Sequence, residues 1–360
     1  MERQQLQPPV GNWDPPTGLR PSTRRRLTLP PWLSWPVAVF AAPLVLIVLR
    51  LLATDPLSTI LPVVPAIAVA VCLSWMNAID MGTRAARAHA VLWGMTVAAV
   101  IAGVVNTTVW YIVSERIAAQ VSAPIIEELL KAAGVLWALR RREIRNGLDG
   151  LVCAGLVAVG FAFAENIGYF LEANQNGMLE QIFLARGVLT PFAHPLFSMW
   201  SGLAIGLGVY RRGRLRITDL WGVLVSIGLH AGFNTLALHG AALEPGWIAV
   251  VYGCGALMFT CSVLALYRTR ANGMRMYRRE IARVAFTYQL NPYEVEVFKD
   301  WSRVRRHRRS LRRRERKQFD KLHATVRVLM ADRTPSPPAT QDHLGHLGAA
   351  RRAAQSSRRR

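Results

Sequence analysis

VSAPIIEELLKAAGVLWAL, residues Val121–Leu139, is long and apolar enough to cross a membrane, yet it carries Glu127, Glu128 and Lys131. A charged group at the bilayer centre costs about 2.5–3.5 kcal/mol on insertion scales. These side chains are therefore expected to face one another and a hydrated cavity, which indicates a functional site. Because Lys131 follows the glutamates at i,i+4 and i,i+3 spacing, an internal ion pair that only neutralises charge is the alternative.

Seven further apolar blocks have a similar length. A helix of about 20 residues crosses ~30 Å of hydrocarbon, and this chain, which is 52% hydrophobic, holds its apolar residues in blocks of that size. The predicted spans are Trp35–Ala53, Leu57–Ala78, Ala90–Val113, Val121–Leu139, Gly150–Leu171, Gly187–Tyr210, Leu220–Leu238 and Gly246–Tyr267. The predicted fold class is all-α, a polytopic transmembrane helical bundle of about eight spans.

The arginines predict the orientation of the bundle, because Lys and Arg accumulate in short cytoplasmic loops. They cluster before the first span and after the second, fourth, sixth and eighth, whereas the other connections contain only Arg116 and Arg186. The clusters are Arg24–Arg26, Arg84 with Arg87, Arg140–Arg142 with Arg145, Arg211 to Arg216, and the tail. Both termini are therefore expected in the cytoplasm of a multi-pass plasma-membrane protein.

Most of the net charge of +22 lies in these loops and in the tail after Tyr267. Anionic lipid headgroups are the expected partner of this charge. Nucleic acid is disfavoured, because no aromatic residues interleave with the arginines. The predicted organisation is a disordered cytoplasmic segment at 1–34, a transmembrane domain at 35–270, a basic cytoplasmic helical tail at 271–330 and a disordered C-terminus at 331–360.

Three other spans carry ionisable groups at a matching depth. With a rise of 1.5 Å per residue and the predicted orientation, Glu128 and His194 lie about 10 Å below the outer surface. Glu165 lies about 9 Å and His230 about 12 Å below it. Four helices are thus predicted to bring these groups together in one layer of the outer leaflet.

The neighbours of the two histidines also favour a polar pocket. Pro191 and Pro195 flank His194, and each proline removes a helix hydrogen bond and frees a carbonyl. Freed carbonyls at membrane depth need protein or water partners. His230 and Asn234 share one helix face at i,i+4 spacing, which suits a pair of donors for an oxyanion, or a ligand with its hydrogen-bonding partner.

Four motifs, in this order, resemble those of the PrsW-type intramembrane proteases and, more distantly, the CAAX-processing and bacteriocin-immunity membrane proteases. They are E-E-x-x-K (Glu127–Lys131), F-A-x-x-E-N (Phe161–Asn166), R-x7-H-P-L-F (Arg186–Phe197) and H-x-x-x-N (His230–Asn234). The resemblance covers about residues 35–270. Where the CAAX-processing relatives have F-x-x-x-H, this chain has Glu165 in place of the histidine, so their assignments do not transfer directly.

The resemblance implies a transmembrane protease domain that cleaves a peptide bond in a membrane-associated protein, an activity attributed to PrsW-type proteins on anti-sigma factors. The active-site residues that it implies by matching position are Glu127, Glu128, Glu165, His194 and His230, with Asn234 alongside. The expected partner is then a membrane-protein substrate.

Peptide hydrolysis needs an activated water, a stabilised oxyanion and a proton for the leaving amine. We expect one glutamate of the 127/128 pair to act as the general base, His194 to position the water, and His230 with Asn234 to hold the oxyanion. If a metal is used, Glu165, His194 and His230 form a common zinc set with an open position for water. The absence of a ligand pair at i,i+4 on one helix favours the metal-free version.

Two other functions use the same residues. A proton-coupled transporter would use the glutamates and histidines as a relay, but the spans show no inverted repeat of the kind on which many carriers are built. A catalytically inactive scaffold that recruits partners through its basic tail is the third interpretation.

Overall fold

The computed structural model describes residues 34–76, 84–240, 245–288, 292–299, 301–313, 315–316 and 319–320 of the 360-residue chain. Every regular element within these residues is helical, which confirms the all-α prediction. The segments predicted to be disordered, 1–34 and 331–360, lie outside the described residues except for Ser34.

In chain order the α-helices are α1 (Trp35–Thr54), α2 (Pro56–Ile60), α3 (Val63–Met76), α4 (Arg84–Trp93), α5 (Ala99–Ile112), α6 (Glu115–Ile117), α7 (Ala123–Arg140), α8 (Gly147–Gln175), α9 (Leu179–Phe183), α10 (Ala193–Arg212), α11 (Trp221–Gly240), α12 (Pro245–Tyr288), α13 (Pro292–Phe298) and α14 (Trp301–Ser310). Three π-helical stretches join some of them: Gly94–Ala98, Ala118–Ser122 and Leu184–Leu189.

Six helical stretches among the described residues are long and apolar enough to cross a membrane. They are Trp35–Thr54, Pro56–Leu73, Ala85–Ile112, Gly147–Gln175, Leu179–Arg212 and Ile217–Leu238. Two predicted spans are not among them: the fourth corresponds to α7, which carries the glutamate pair and Lys131, and the eighth falls within the 44-residue α12. The count of eight and the orientation stay predictions.

Helix α8 is the centre of the membrane-spanning bundle. Its span is 83% buried, against 6% for α1, and it contacts α3, α4, α7 and α10. The side chain of Asn146 caps its first turn by accepting hydrogen bonds from the backbone N–H groups of Leu148 and Asp149. This helix is therefore the framework on which the neighbouring helices are placed.

Glycines allow neighbouring helices to approach α8 closely, and Gly150 and Gly160 are two of them. A Cβ atom at Gly150 would lie 2.0 Å from the carbonyl oxygen of Gly202 on α10, and one at Gly160 would lie 1.9 Å from the carbonyl oxygen of Val91 on α4. Small residues at helix contacts let backbones approach in this way in membrane bundles. The contacts fix α10, which carries His194, against α8, which carries Glu165.

The helix is interrupted near the two prolines that flank His194. The sixth predicted span, Gly187–Tyr210, contains the end of a π-helical stretch, a turn at residues 190–192, and then α10 from Ala193. Pro195 lies in the first turn of α10, where backbone N–H groups have no acceptor within the helix. The N–H that proline lacks therefore costs no helix hydrogen bond at this position. His194 therefore stands at a helix start, not on a kinked continuous helix.

Residues from Met274 onward belong to a second compact unit, whereas Leu27–Gly273 form the first. The described residues of the tail after Tyr288 include two short helices, α13 and α14. Phe298 is fully buried and its ring stacks on that of Phe319 at 5.6 Å, while Arg308 donates two hydrogen bonds to Asp320 at 2.7 and 2.9 Å. The described part of the basic tail thus has a small core of its own.

Candidate active site

Four helices bring the predicted acids and histidines into one buried cluster. Helix α7 supplies Glu127 and Glu128, α8 supplies Glu165, α10 supplies His194 and α11 supplies His230. The rings of the two histidines stand perpendicular with their centroids 5.2 Å apart. Glu128 is fully buried, and Glu127 and His230 are no more than 4% exposed.

Both carboxylate oxygens of Glu128 have close polar partners. Its Oε1 accepts from the ammonium of Lys131 at 2.9 Å and lies 3.2 Å from Nδ1 of His230, while its Oε2 accepts from the hydroxyl of Ser198 at 2.7 Å. A carboxylate so fully engaged is suited to orienting its partners. In a neutral His230 ring whose Nδ1 donates to Glu128, the other ring nitrogen, Nε2, would carry the lone pair.

The polar contacts of Glu127 are longer than those of Glu128. Its Oε1 accepts from the amide of Asn106 at 3.3 Å, and its Oε2 lies 3.4 Å from the ammonium of Lys131. The distance from Oε2 to Nε2 of His230 is 3.9 Å, which is too long for a hydrogen bond. With a neutral His230 ring both of these atoms are acceptors, and a donor or a cation between them would satisfy both.

Lys131 is a fully buried ammonium inside the cluster. Besides both glutamates, it contacts Nδ1 of His194 at 3.1 Å and lies 4.0 Å from the ring centroid of Phe161. Since an ammonium can only donate, Nδ1 of His194 is an acceptor and Nε2 carries the proton. That Nε2 donates to Glu165 at 2.9 Å.

Glu165 lies at the edge of the cluster and is 22% exposed. The carboxylate oxygen that accepts from His194 also accepts from Nη2 of Arg186. The same guanidinium donates from Nε to Asn166 at 2.7 Å and stacks over the ring of Tyr169 at 3.7 Å. Glu165 thus connects an outer arginine to the imidazole of His194.

Three residues of the cluster could hold a metal ion, and they differ from the predicted metal set by one carboxylate. Glu127, His194 and His230 each present a ligand atom, and these atoms lie within 4.8 Å of one another. One carboxylate and two imidazoles are a common donor set for zinc, so the residues fit such an ion. The predicted set had Glu165 in place of Glu127, but Glu165 bonds to the far side of His194, where a carboxylate often orients a ligating histidine.

Asn234 does not reach the glutamates through any hydrogen bond in the structure. Its amide donates to the backbone carbonyl of Ala119 at 2.8 Å and ties α11 to the π-helical stretch Ala118–Ser122. This contact gives Asn234 an architectural role. Its part in holding an oxyanion stays a prediction.

Sequence reasoning gave no role to Asn106 or Ser198, which touch the two glutamates. Asn106 is an amide within the apolar α5, and such a residue in a span is a usable signal for a polar partner. Ser198 lies four residues after His194 on α10, but serine is common in membrane helices and is weak evidence. Ser122 fixes Asn106 in turn, by donating to its carbonyl oxygen at 2.9 Å.

A family model described as PrsW family intramembrane metalloprotease matches residues 83–267, which is more than half of the chain and contains the whole cluster. The chain belongs to the PrsW family. The match and the six apolar helical stretches make this PrsW family member a multi-pass membrane protein. Its basic tail lies outside the matched range.

The curated Protease PrsW of Clostridioides difficile (strain 630) is 25% identical to this PrsW family member over 169 residues. The alignment covers 46% of this chain and 66% of that relative. No solved structure matches the chain.

Proposed function

We propose that this PrsW family member is an intramembrane endopeptidase whose reaction centre is formed by Glu127, His194 and His230. The observation that carries the proposal is the meeting of one carboxylate and two imidazoles within 4.8 Å, inside a multi-pass bundle that belongs to a family of proteases. A buried set of this composition can activate water and transfer protons. Family membership favours a protease over the transporter interpretation.

The two glutamates have different tasks in this proposal. Glu127 acts as the general base, because its contacts are long and its Oε2 lies 3.9 Å from Nε2 of His230 without a hydrogen bond. Glu128 orients His230 and anchors Lys131, because its two oxygens are already engaged. Glu127 would take a proton from water and later return it to the leaving amine.

His194 and Lys131 supply the remaining chemistry. Nδ1 of His194 has one lone pair, which accepts from Lys131 at 3.1 Å, and it can orient the attacking water when Lys131 donates elsewhere. Lys131 places a positive charge next to both Glu127 and His194, where it can stabilise negative charge that develops on the scissile carbonyl.

Glu127, His194 and His230 would also hold a divalent ion, and such an ion, when bound, supplies Lewis-acid polarisation of a carbonyl. The ammonium of Lys131 contacts two of these three donors. Lys131 and an ion would therefore compete for the same atoms, and metal content measured on the purified protein separates the two versions.

The proposed substrate is a membrane-associated protein, of the anti-sigma-factor type, cleaved at the depth of the outer leaflet of the plasma membrane. The arginine pattern of the connections and the resemblance of the four motifs support this choice. The basic loops and tail would contact anionic headgroups at the cytoplasmic surface.

The test compares membrane proteomes from cells that carry the wild type, Glu127→Gln, Glu128→Gln or the control Glu180→Gln. Glu180 is an exposed residue on α9, outside the cluster. We expect one membrane protein to accumulate at full length with Glu127→Gln and Glu128→Gln but not with the control. Normal processing of all membrane proteins by both site variants, at wild-type expression, contradicts the proposal.

A further inference from the structure

Arg186 lies at the rim of the buried cluster. Its side chain is 24% exposed, whereas those of Glu127, Glu128 and Lys131 are 5% exposed or less. It belongs to the π-helical stretch Leu184–Leu189, eight residues before His194. π-Helical turns are rare and frequently occur at functional sites.

The guanidinium of Arg186 makes three contacts with one face of α8. Its Nη2 donates to Glu165, its Nε donates to Asn166 at 2.7 Å, and its plane lies 3.7 Å from the ring centroid of Tyr169. Because the guanidinium is planar and its donors form a fixed fork, two bonded edges and one stacked face leave a single orientation. A lysine at this position would balance charge but would not make all three contacts.

The fixed guanidinium determines where the carboxylate of Glu165 lies. The oxygen of Glu165 that accepts from Arg186 also accepts from Nε2 of His194 at 2.9 Å. That bond keeps the proton on Nε2 and leaves Nδ1, which accepts from Lys131 at 3.1 Å, with the lone pair. Arg186 and His194 thus share one carboxylate oxygen of Glu165, so the placement of Arg186 influences which nitrogen of His194 carries the proton.

We propose that Arg186 is a positioning residue, which holds Glu165 and thereby fixes the ring orientation and tautomer of His194. Partners behind a functional histidine commonly have this task. The proposal rests on the proposed function only for its effect on turnover. The competing explanation is that Arg186 merely balances the charge of Glu165, in which case a lysine would serve equally well.

The first experiment reads the tautomer directly and needs no substrate. Full-length protein with isotope-labelled histidine is prepared as wild type, Arg186→Gln, Arg186→Lys and the control Arg116→Gln, and the ring-nitrogen signals are recorded by NMR. His194→Gln identifies the signals of His194 among the eight histidines. Arg116 is a matched control because it is an exposed arginine on α6.

We expect Nε2 of His194 to be protonated in the wild type and in Arg116→Gln, and a mixture of the two tautomers in both Arg186 variants. A wild-type pattern in Arg186→Gln, or protonation on Nδ1 in the wild type, overturns the proposal. A wild-type pattern in Arg186→Lys alone shows that charge is sufficient and overturns the positioning role.

The second experiment measures turnover of the substrate found by the proteome comparison. Losing a partner behind a functional histidine typically costs about 10–100-fold in activity. We expect Arg186→Lys to lower kcat by that factor with KM unchanged, since the contact acts on the reacting groups and not on substrate binding. If the wild type cleaves nothing, the proposed function fails while the NMR result still decides the role of Arg186.

Discussion

Replacing Lys131 with methionine should be among the most destabilising single changes in this bundle. The ammonium is fully buried and lies 2.9 Å from Glu128 and 3.4 Å from Glu127. At an effective dielectric constant of about 20, these attractions are worth about 6 and about 5 kcal/mol before desolvation is subtracted. Removing one partner of a buried pair leaves an uncompensated charge, so we expect Lys131→Met to lower the free energy of unfolding by about 3–5 kcal/mol.

The assay is reversible unfolding in mixed detergent micelles, with Lys299→Met as the matched control. Lys299 also pairs with a glutamate three residues earlier, Glu296, but at the exposed surface of the tail, where we expect no resolvable loss. The double variant Lys131→Met with Glu128→Gln removes the stranded carboxylate and should recover part of the loss. A double variant as unstable as Lys131→Met, or a loss below about 1 kcal/mol in Lys131→Met, would refute this reasoning.

Three further outcomes are expected. Gly150→Ala should lower the free energy of unfolding by about 1–3 kcal/mol through its clash with α10, whereas Gly103→Ala, which meets no atom within 4 Å, should not be destabilising. The amide of Asn174 lowers the pKa of Asp55, with help from Ser58. The hydrogen bond therefore stabilises the fold above the ordinary pKa range of aspartate, and this stabilisation is lost as pH falls through the lowered pKa. The difference in free energy of unfolding between the wild type and Asn174→Ala, measured against pH, should shrink in acid. Zinc affinity of the purified protein, measured by titration, should fall in Glu127→Gln by more than the about 10–100-fold typical of residues behind a ligand.

The sequence identified the acids and histidines of the cluster because charge in an apolar helix is a strong signal. It placed Glu165 with the two histidines in the metal set, whereas the structure groups Glu127 with them. Hydropathy and residue count give the level of a side chain along a helix, but the rotation of that helix about its axis depends on its neighbours. Adjacent residues differ by about 100° in direction, so the choice needed the structure.

The helical class followed from the length of the apolar blocks, but the interruptions did not. Pro191 and Pro195 indicated the disturbance before α10, because proline removes a backbone donor. The π-helical stretches at Gly94–Ala98 and Ala118–Ser122 had no such signal in the sequence, since one extra residue in a turn does not alter hydropathy. Asn106 is an amide in an apolar helix and indicated a polar partner, but the identity of its partner and of the partner of Ser198 depends on which helices become neighbours.

The backbone contact at Gly150 and Gly202 limits how the bundle can open. Two helices that meet without intervening side chains have little room to slide, and parting them would break one of the closest backbone approaches in the bundle. On the proposed function, a substrate polypeptide would reach the acids through another side of the helical bundle. Motions that open a path to the acids are expected between helices that meet through longer side chains, because sliding there disrupts less close packing.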